Sequence, residues 1–196
     1  MKKDWVGNKK TTFSILGASN HSEHERALDD YYATNPSVLT PLLDNEDLLL
    51  NIWENACGAG HLSKKLEKVN FKVKSSDKVN RGYGEIFDFL KEPVQEWDGD
   101  ILTNPPYKYA QEWVEKSMKT LHDKNKLCLF LKLLFLEGQK RKEMFKKYPP
   151  QTVYVFSARQ KCVLNGDFEN SDSSAVCYAW FVWEKGYTGE TVLKWV

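Results

Sequence analysis

Leu48–Val69, LLLNIWENACGAGHLSKKLEKV, is the stretch whose reading decides the fold. It opens on an apolar run of strand length and turns through Gly58 and Gly60. It then continues with Leu62, Leu66 and Val69 at helical spacing. Strand, glycine turn and helix in immediate succession begin a βαβ unit. The apolar run is consistent with a buried strand of a parallel sheet.

The same rhythm extends outward. FKVKSSD (Phe71–Asp77) and GDILTN (Gly99–Asn104) read as further strands. YAQEWVEKSMKTLH (Tyr109–His122) reads as a helix whose apolar side is Ala110, Trp113, Val114, Ser117, Met118 and Leu121. KLCLFLKLLF (Lys126–Phe135) is the most continuous apolar run and reads as a central strand entering its exit loop. Gly138 opens a basic helix, Pro149–Ser157 supplies another strand, and Ala175–Gly186 a last one rich in aromatic and β-branched residues. The polar, turn-rich Ala158–Ser174 between them reads as a surface loop. Towards the N-terminus, Asn35 is placed to cap a helix over Pro36–Leu43. Residues 1–30 form a polar arm, with a weakly specified helix at Ser22–Tyr31, ahead of one domain spanning 31–196. The pattern predicts a doubly wound, mostly parallel sheet whose last strand turns back antiparallel, with ligands beyond the strands' carboxyl ends.

Lys plus Arg number 28 against 27 Asp plus Glu, a formal charge of +1, which excludes a histone-like tail and leaves only local basic patches. The four cysteines are widely spaced with no CxxC pair, and the histidines show no metal-ligand spacing, so neither a disulfide framework nor a metal site is expected. No signal peptide or membrane span is legible, which predicts a cytoplasmic protein.

Three segments at predicted strand ends carry the candidate chemistry. Glu54 closes the first strand beside the glycine turn, and a carboxylate there suits a sulfonium or ammonium cation. The third glycine of a dinucleotide fingerprint is absent, Ser63 standing in its place. Asp77 lies where a nucleotide-binding sheet offers a carboxylate to ribose hydroxyls. Asp88 and Phe89 can receive an adenine amino group and its ring. In TNPPY, the Asn104 amide oxygen and a carbonyl of Pro105 or Pro106 can converge on an exocyclic NH₂, while Tyr107 stacks on the base. Holding both N–H bonds orients the nitrogen for in-line attack without a prior general base.

Glu54–Gly60, Asp77, Asp88 with Phe89, and Asn104–Tyr107, in this order, resemble the S-adenosylmethionine-dependent methyltransferases acting on adenine N6. In particular they resemble the small adenine-specific DNA methyltransferases of bacteriophages and prophages. It implies a Rossmann-like class I methyltransferase fold with a mostly parallel seven-stranded sheet, an antiparallel last strand and helices on both faces. Tyr32, Thr34, Pro36, Glu54, Cys57, Gly58, Gly60, Asp77, Asp88 and Phe89 are then the S-adenosylmethionine-binding residues. Asn104, Pro105, Pro106 and Tyr107 hold the methyl-accepting base, and Trp180, in the closing strand, sits near its pocket.

The chain departs from the larger enzymes of this kind in having no room for a target-recognition domain. DNA contacts are therefore expected on Lys108, Lys140, Arg141, Arg159 and Lys161 by charge placement, with relaxed specificity or help from dimerisation. The target base must leave the stack. The residues leave RNA adenine, cytosine N4, and a non-catalytic nucleic-acid-binding protein open as alternatives.

Overall fold

The computed structural model describes residues 32–160, 162–164 and 176–196. The helix expected at Ser22–Tyr31, Lys161, and most of the loop expected after it lie outside those residues. The strands are β1 (Tyr32–Thr34), β2 (Asn51–Glu54), β3 (Lys72–Asp77), β4 (Glu85–Ile86) and β5 (Asp100–Thr103). They continue as β6 (Lys126–Lys132), β7 (Thr152–Val155), β8 (Cys162–Leu164), β9 (Tyr178–Glu184) and β10 (Val192–Trp195). Among the described residues four α-helices accompany them: α1 (Leu39–Leu43), α2 (His61–Lys68), α3 (Ala110–Thr120) and α4 (Lys142–Lys147). A 3₁₀ turn at Pro36–Val38 leads into α1, and the Asn35 side chain accepts from the Ser37 N–H at 2.9 Å, as the cap reading expects.

Eight strands form the main sheet in the order β10-β7-β9-β6-β5-β2-β3-β4. β9 alone runs against its neighbours, pairing antiparallel with both β6 and β7. The sheet thus has one strand more than the seven expected, because β10 adds itself parallel to β7 at the outer edge. All four β10 residues are exposed, so the alternation that betrays a half-buried strand is missing there. A second correction concerns the loop expected after Arg159: β8 pairs antiparallel with β1 in a separate two-stranded ladder, with Thr34 opposite Cys162.

Period-two alternation in the central strands divides the core. Leu127, Leu129 and Leu131 join Trp53, Ile101 and Phe181 under the Trp113, Val114 and Met118 side of α3. Cys128 and Phe130 face the other way, with Ile52, Leu102, Tyr154 and Trp180, beneath Leu39 and Leu42 of α1 and Leu62 and Leu66 of α2. Both faces are covered, as the apolar runs of β2 and β6 require. Trp180 belongs wholly to this second layer. Its exposure is 0% and its indole N–H donates to the Val38 carbonyl at 2.7 Å, so it cannot touch a nucleic acid, contrary to expectation. Because β2, β3, β5, β6 and β7 run in parallel, their exits gather at one edge of the sheet.

Candidate active site

At the exit of β2, Glu54 is buried, and loss of water pushes its carboxyl up to about 8. Ser63 in the first turns of α2 holds its Oε2 through both the backbone N–H, at 2.8 Å, and the hydroxyl. The Ser63 hydroxyl also meets Ser75 Oγ at 2.7 Å, so the position of a would-be third glycine instead orients a carboxylate. Asp77 bridges two strand exits, its Oδ2 accepting from Gly58 N–H and its Oδ1 from Val79 N–H, both at 2.9 Å.

Gly58 and Gly60 adopt positive φ (55° and 75°). The freedom at Gly60 serves packing: a Cβ there would stand 2.2 Å from the Tyr83 ring. Neither glycine borders the cavity, whose wall at this turn is Cys57, His61 and Leu62. Burial and the nearby Glu54 push the Cys57 thiol up to about 12, which makes it an inert wall residue. His61 is pushed down from its usual range, first by burial and then by Lys64.

After β4, Asp88 Oδ1 accepts from the N–H groups of Leu90 and Lys91, both at 3.2 Å, and Oδ2 faces Lys91 Nζ at 3.7 Å. Phe89 is wedged edge-on against Trp53, centroids 5.5 Å apart, and tilted against Trp113 at 5.2 Å.

Asn104 follows β5 directly. Its Nδ2 donates to Thr34 Oγ1 at 2.7 Å, which fixes the amide and leaves Oδ1 buried with no hydrogen-bond partner. A buried acceptor in that state is costly unless a ligand supplies a donor. The two prolines carry the chain into a 3₁₀ turn at Tyr107–Tyr109, whose Tyr109 N–H takes the Pro106 carbonyl at 2.9 Å. Of the two carbonyls considered from sequence, Pro106's thus already accepts one backbone hydrogen bond. The Tyr107 ring lies 6.2 Å from that of Tyr178, and Lys132 Nζ stands 4.8 Å from its centroid.

These groups close around one cavity of about 350 Å³, within the size range of small-molecule sites. Its wall brings together Thr34, Glu54, Cys57, Asp77, Asp88 and Phe89 from the expected cofactor set. Asn104, Pro105, Pro106 and Tyr107 complete it. Pro36 lies outside the wall, at the head of its 3₁₀ turn, and Tyr32 enters only as the first residue of β1.

Among the expected DNA contacts, Lys108 and Lys140 are exposed. Arg141 is not available as expected, because its guanidinium donates to the carbonyls of Phe135, Leu134 and Glu137 and stacks 5.0 Å from the Phe135 ring. Arg159 donates to Cys177 Sγ at 3.1 Å.

Of the wall residues that were not anticipated, Asn55 and Trp113 bear most directly on the site. Asn55 is buried, accepts from the Trp113 indole N–H at 2.8 Å, and keeps an Nδ2 without a partner. Trp113, read from sequence as core material only, both borders the cavity and holds that amide. The legible signal was Asn55's place next to Glu54 at a strand exit. Among the described residues no group of three potential metal ligands occurs, and no helix is long and apolar enough to cross a membrane.

No protein-family profile and no curated protein matches this sequence. Solved structures do match. One, named as a class I S-adenosylmethionine-dependent methyltransferase of Listeria monocytogenes, superposes with a TM-score of 0.60 at 13% identity, over 96% of this chain and 72% of its own. A protein named as an RNA methyltransferase of Pyrococcus horikoshii gives 0.56 at 12% identity, over 92% of this chain and 99% of its own. A modification subunit of a type I restriction enzyme from Vibrio vulnificus gives 0.56 at 13%, over 93% of this chain and 48% of its own. The chain has the Rossmann-like class I methyltransferase fold.

Proposed function

We propose that this chain transfers a methyl group from S-adenosylmethionine to the exocyclic N6 amino group of adenine in DNA. The observation that carries the reading is the Asn104 amide, locked through Nδ2 to Thr34 with its buried Oδ1 unpartnered at the cavity wall.

The wall suits the cofactor by its chemistry. Glu54 offers a buried carboxyl to a cation, Asp77 an acceptor to ribose hydroxyls, and Asp88 with Phe89 an acceptor and an apolar ring to adenine. The orphan Asn55 Nδ2 adds a buried donor. When bound, S-adenosylmethionine supplies an electron-deficient methyl group on a sulfonium cation.

At the acceptor side, Asn104 Oδ1 and the Pro105 carbonyl receive the two N–H bonds of the target amine. They pull density onto the nitrogen and hold its lone pair in line. With Nδ2 spent on Thr34 Oγ1, Oδ1 is the atom of the amide offered to the target amine. Tyr107 provides an aromatic surface for the extruded base. No side-chain base is required before attack, since the amine's proton becomes acidic only once nitrogen has gained its fourth bond.

The choice of adenine in DNA rests on the resemblance carried by Asn104–Tyr107 and its flanking segments. The test uses labelled methyl donor with duplex DNA, single-stranded DNA and RNA, followed by digestion to nucleosides and identification by mass. Label in N6-methyladenine from DNA, lost in Asn104→Ala, is the expected result. Label in N4-methylcytosine or in RNA alone overturns the substrate. Cofactor binding without label in any nucleic acid overturns the reaction.

A further inference from the structure

Charge is unevenly distributed along the carboxyl edge of the sheet. Glu54, Asp77 and Asp88 all belong to the exits of β2, β3 and β4, on one side of Asn104. The cations of that side are not set apart from them: Lys91, for one, pairs with Asp88 at 3.7 Å. On the other side of Asn104 no carboxylate borders the cavity. There β6 ends in Lys132, half-buried, its ammonium over the Tyr107 ring and, among the described residues, in no ion pair with a carboxylate.

Arg159, just beyond β7, reaches the same place. Lys132 pairs in register with Tyr178, Leu133 N–H donates to the Cys177 carbonyl at 2.9 Å, and Arg159 donates to Cys177 Sγ. Two cations from different strand exits thus flank the Cys177–Tyr178 entry to β9, and Tyr178 in turn lies against Tyr107.

A partly desolvated ammonium held on an aromatic face gains from an anion more than a fully hydrated one does. A ligand with a planar amine at one end and a phosphate at the other can set the amine at Asn104 and the phosphate at Lys132.

We infer that Lys132, with Arg159 beside it, binds the backbone phosphate of the nucleotide whose base Asn104 and Tyr107 receive. The inference rests on the reading that the acceptor is a nucleic-acid base, and it adds that the substrate is recognised as a phosphorylated nucleotide. Lys132 is a substrate-binding residue in this scheme, while Tyr107 is held from behind by the same side chain.

The experiment measures KM and Kd for whichever nucleic acid the wild type labels, over a series of salt concentrations, for Lys132→Gln, Lys132→Arg, Arg159→Gln and Arg141→Gln. Each lost phosphate contact lowers the slope of log K against log salt by about 0.9 on duplex DNA and about 0.7 on a single strand. Lys132→Gln is expected to show that drop, with KM raised about tenfold and the loss concentrated in KM rather than kcat. Lys132→Arg retains the slope, and Arg141→Gln, whose guanidinium is committed to carbonyls, leaves it unchanged.

A raised KM with an unchanged slope in Lys132→Gln overturns the inference and leaves Lys132 as a support for the Tyr107 ring. If Lys132→Gln does not fold, the slope of Arg159→Gln decides: a drop supports the phosphate site and no change overturns it. Wild-type protein that labels no nucleic acid defeats the functional reading itself, whereas labelled DNA with unaltered slopes defeats only this inference.

Discussion

On the β2–β4 side of the cavity, the carboxylates Glu54 and Asp77 are held by neighbours close in sequence. Ser63 orients Glu54 from nine residues away and Gly58 meets Asp77 from 19. On the β5–β6 side the decisive contact spans 70 residues, from Asn104 to Thr34. The first arrangement is built by one βαβ unit and can assemble with it. The second exists only once β1 has been brought against the end of β5, so it is the half through which distant changes reach the chemistry.

The comparison breaks most visibly at Asn104. Asn104→Ala is expected to lower the rate of methyl transfer about 10²–10³-fold, the usual cost of removing one preorganised group that acts on the transition state. Cofactor affinity by calorimetry should stay as it was, because the two halves are held separately. Asp77→Ala is the converse: loss of a charged acceptor is expected to weaken cofactor binding about tenfold to a hundredfold, while DNA affinity in a filter or anisotropy assay is retained.

Thr34 sharpens the distinction. Thr34→Val, which removes the hydroxyl and frees the amide to rotate, should reduce kcat about tenfold, and Thr34→Ser should restore it. A loss in Thr34→Ser with Thr34→Val unaffected would mean the methyl group of Thr34, and not its hydrogen bond, is what matters.

Glu54 gives the β2–β4 half a pH signature. Its carboxyl titrates near 8 in the folded protein against an ordinary 4.5. Between those values the unfolded chain loses the proton first, so stability falls as pH rises through that window, by at most about 1.4 kcal/mol per pH unit, and flattens above 8. A cationic ligand favours the carboxylate, so its binding releases a proton below pH 8 and its affinity rises with pH up to that point. Calorimetry in buffers of different ionisation enthalpy should detect the proton in the wild type and not in Glu54→Gln.

The smallest effect is expected at Trp180. Trp180→Phe should cost stability on the order of 1 kcal/mol or somewhat more in thermal unfolding and leave DNA affinity alone, since the indole faces the core.

Legibility followed the same division. The strands β2, β6 and β9 announce themselves through apolar runs, β3, β5 and β7 through short segments placed in the same strand–helix rhythm, and Glu54, Asp77 and Asn104 through their places at strand ends. β10 was invisible because a four-residue edge strand with no buried face has no pattern to read. Trp180 was misplaced because an aromatic in an alternating strand belongs to either face until register is known, and register here comes from pairing with β6 and β7. Arg141 looked like a phosphate ligand by charge, yet charge carries no information about the carbonyls a folded turn brings to it. Asn55 was overlooked since its role depends on Trp113, 58 residues on.

The nearness of Gly60 to the Tyr83 ring has a hereditary consequence. Two segments that touch this closely cannot drift independently: a side chain at position 60, strained in any case at a φ of 75°, would also need position 83 to become small, and a ring restored at 83 requires glycine at 60 again. Across descendants of this chain the two positions should covary, and a chimera that takes the turn from one relative and the β3–β4 connection from another should misfit there first.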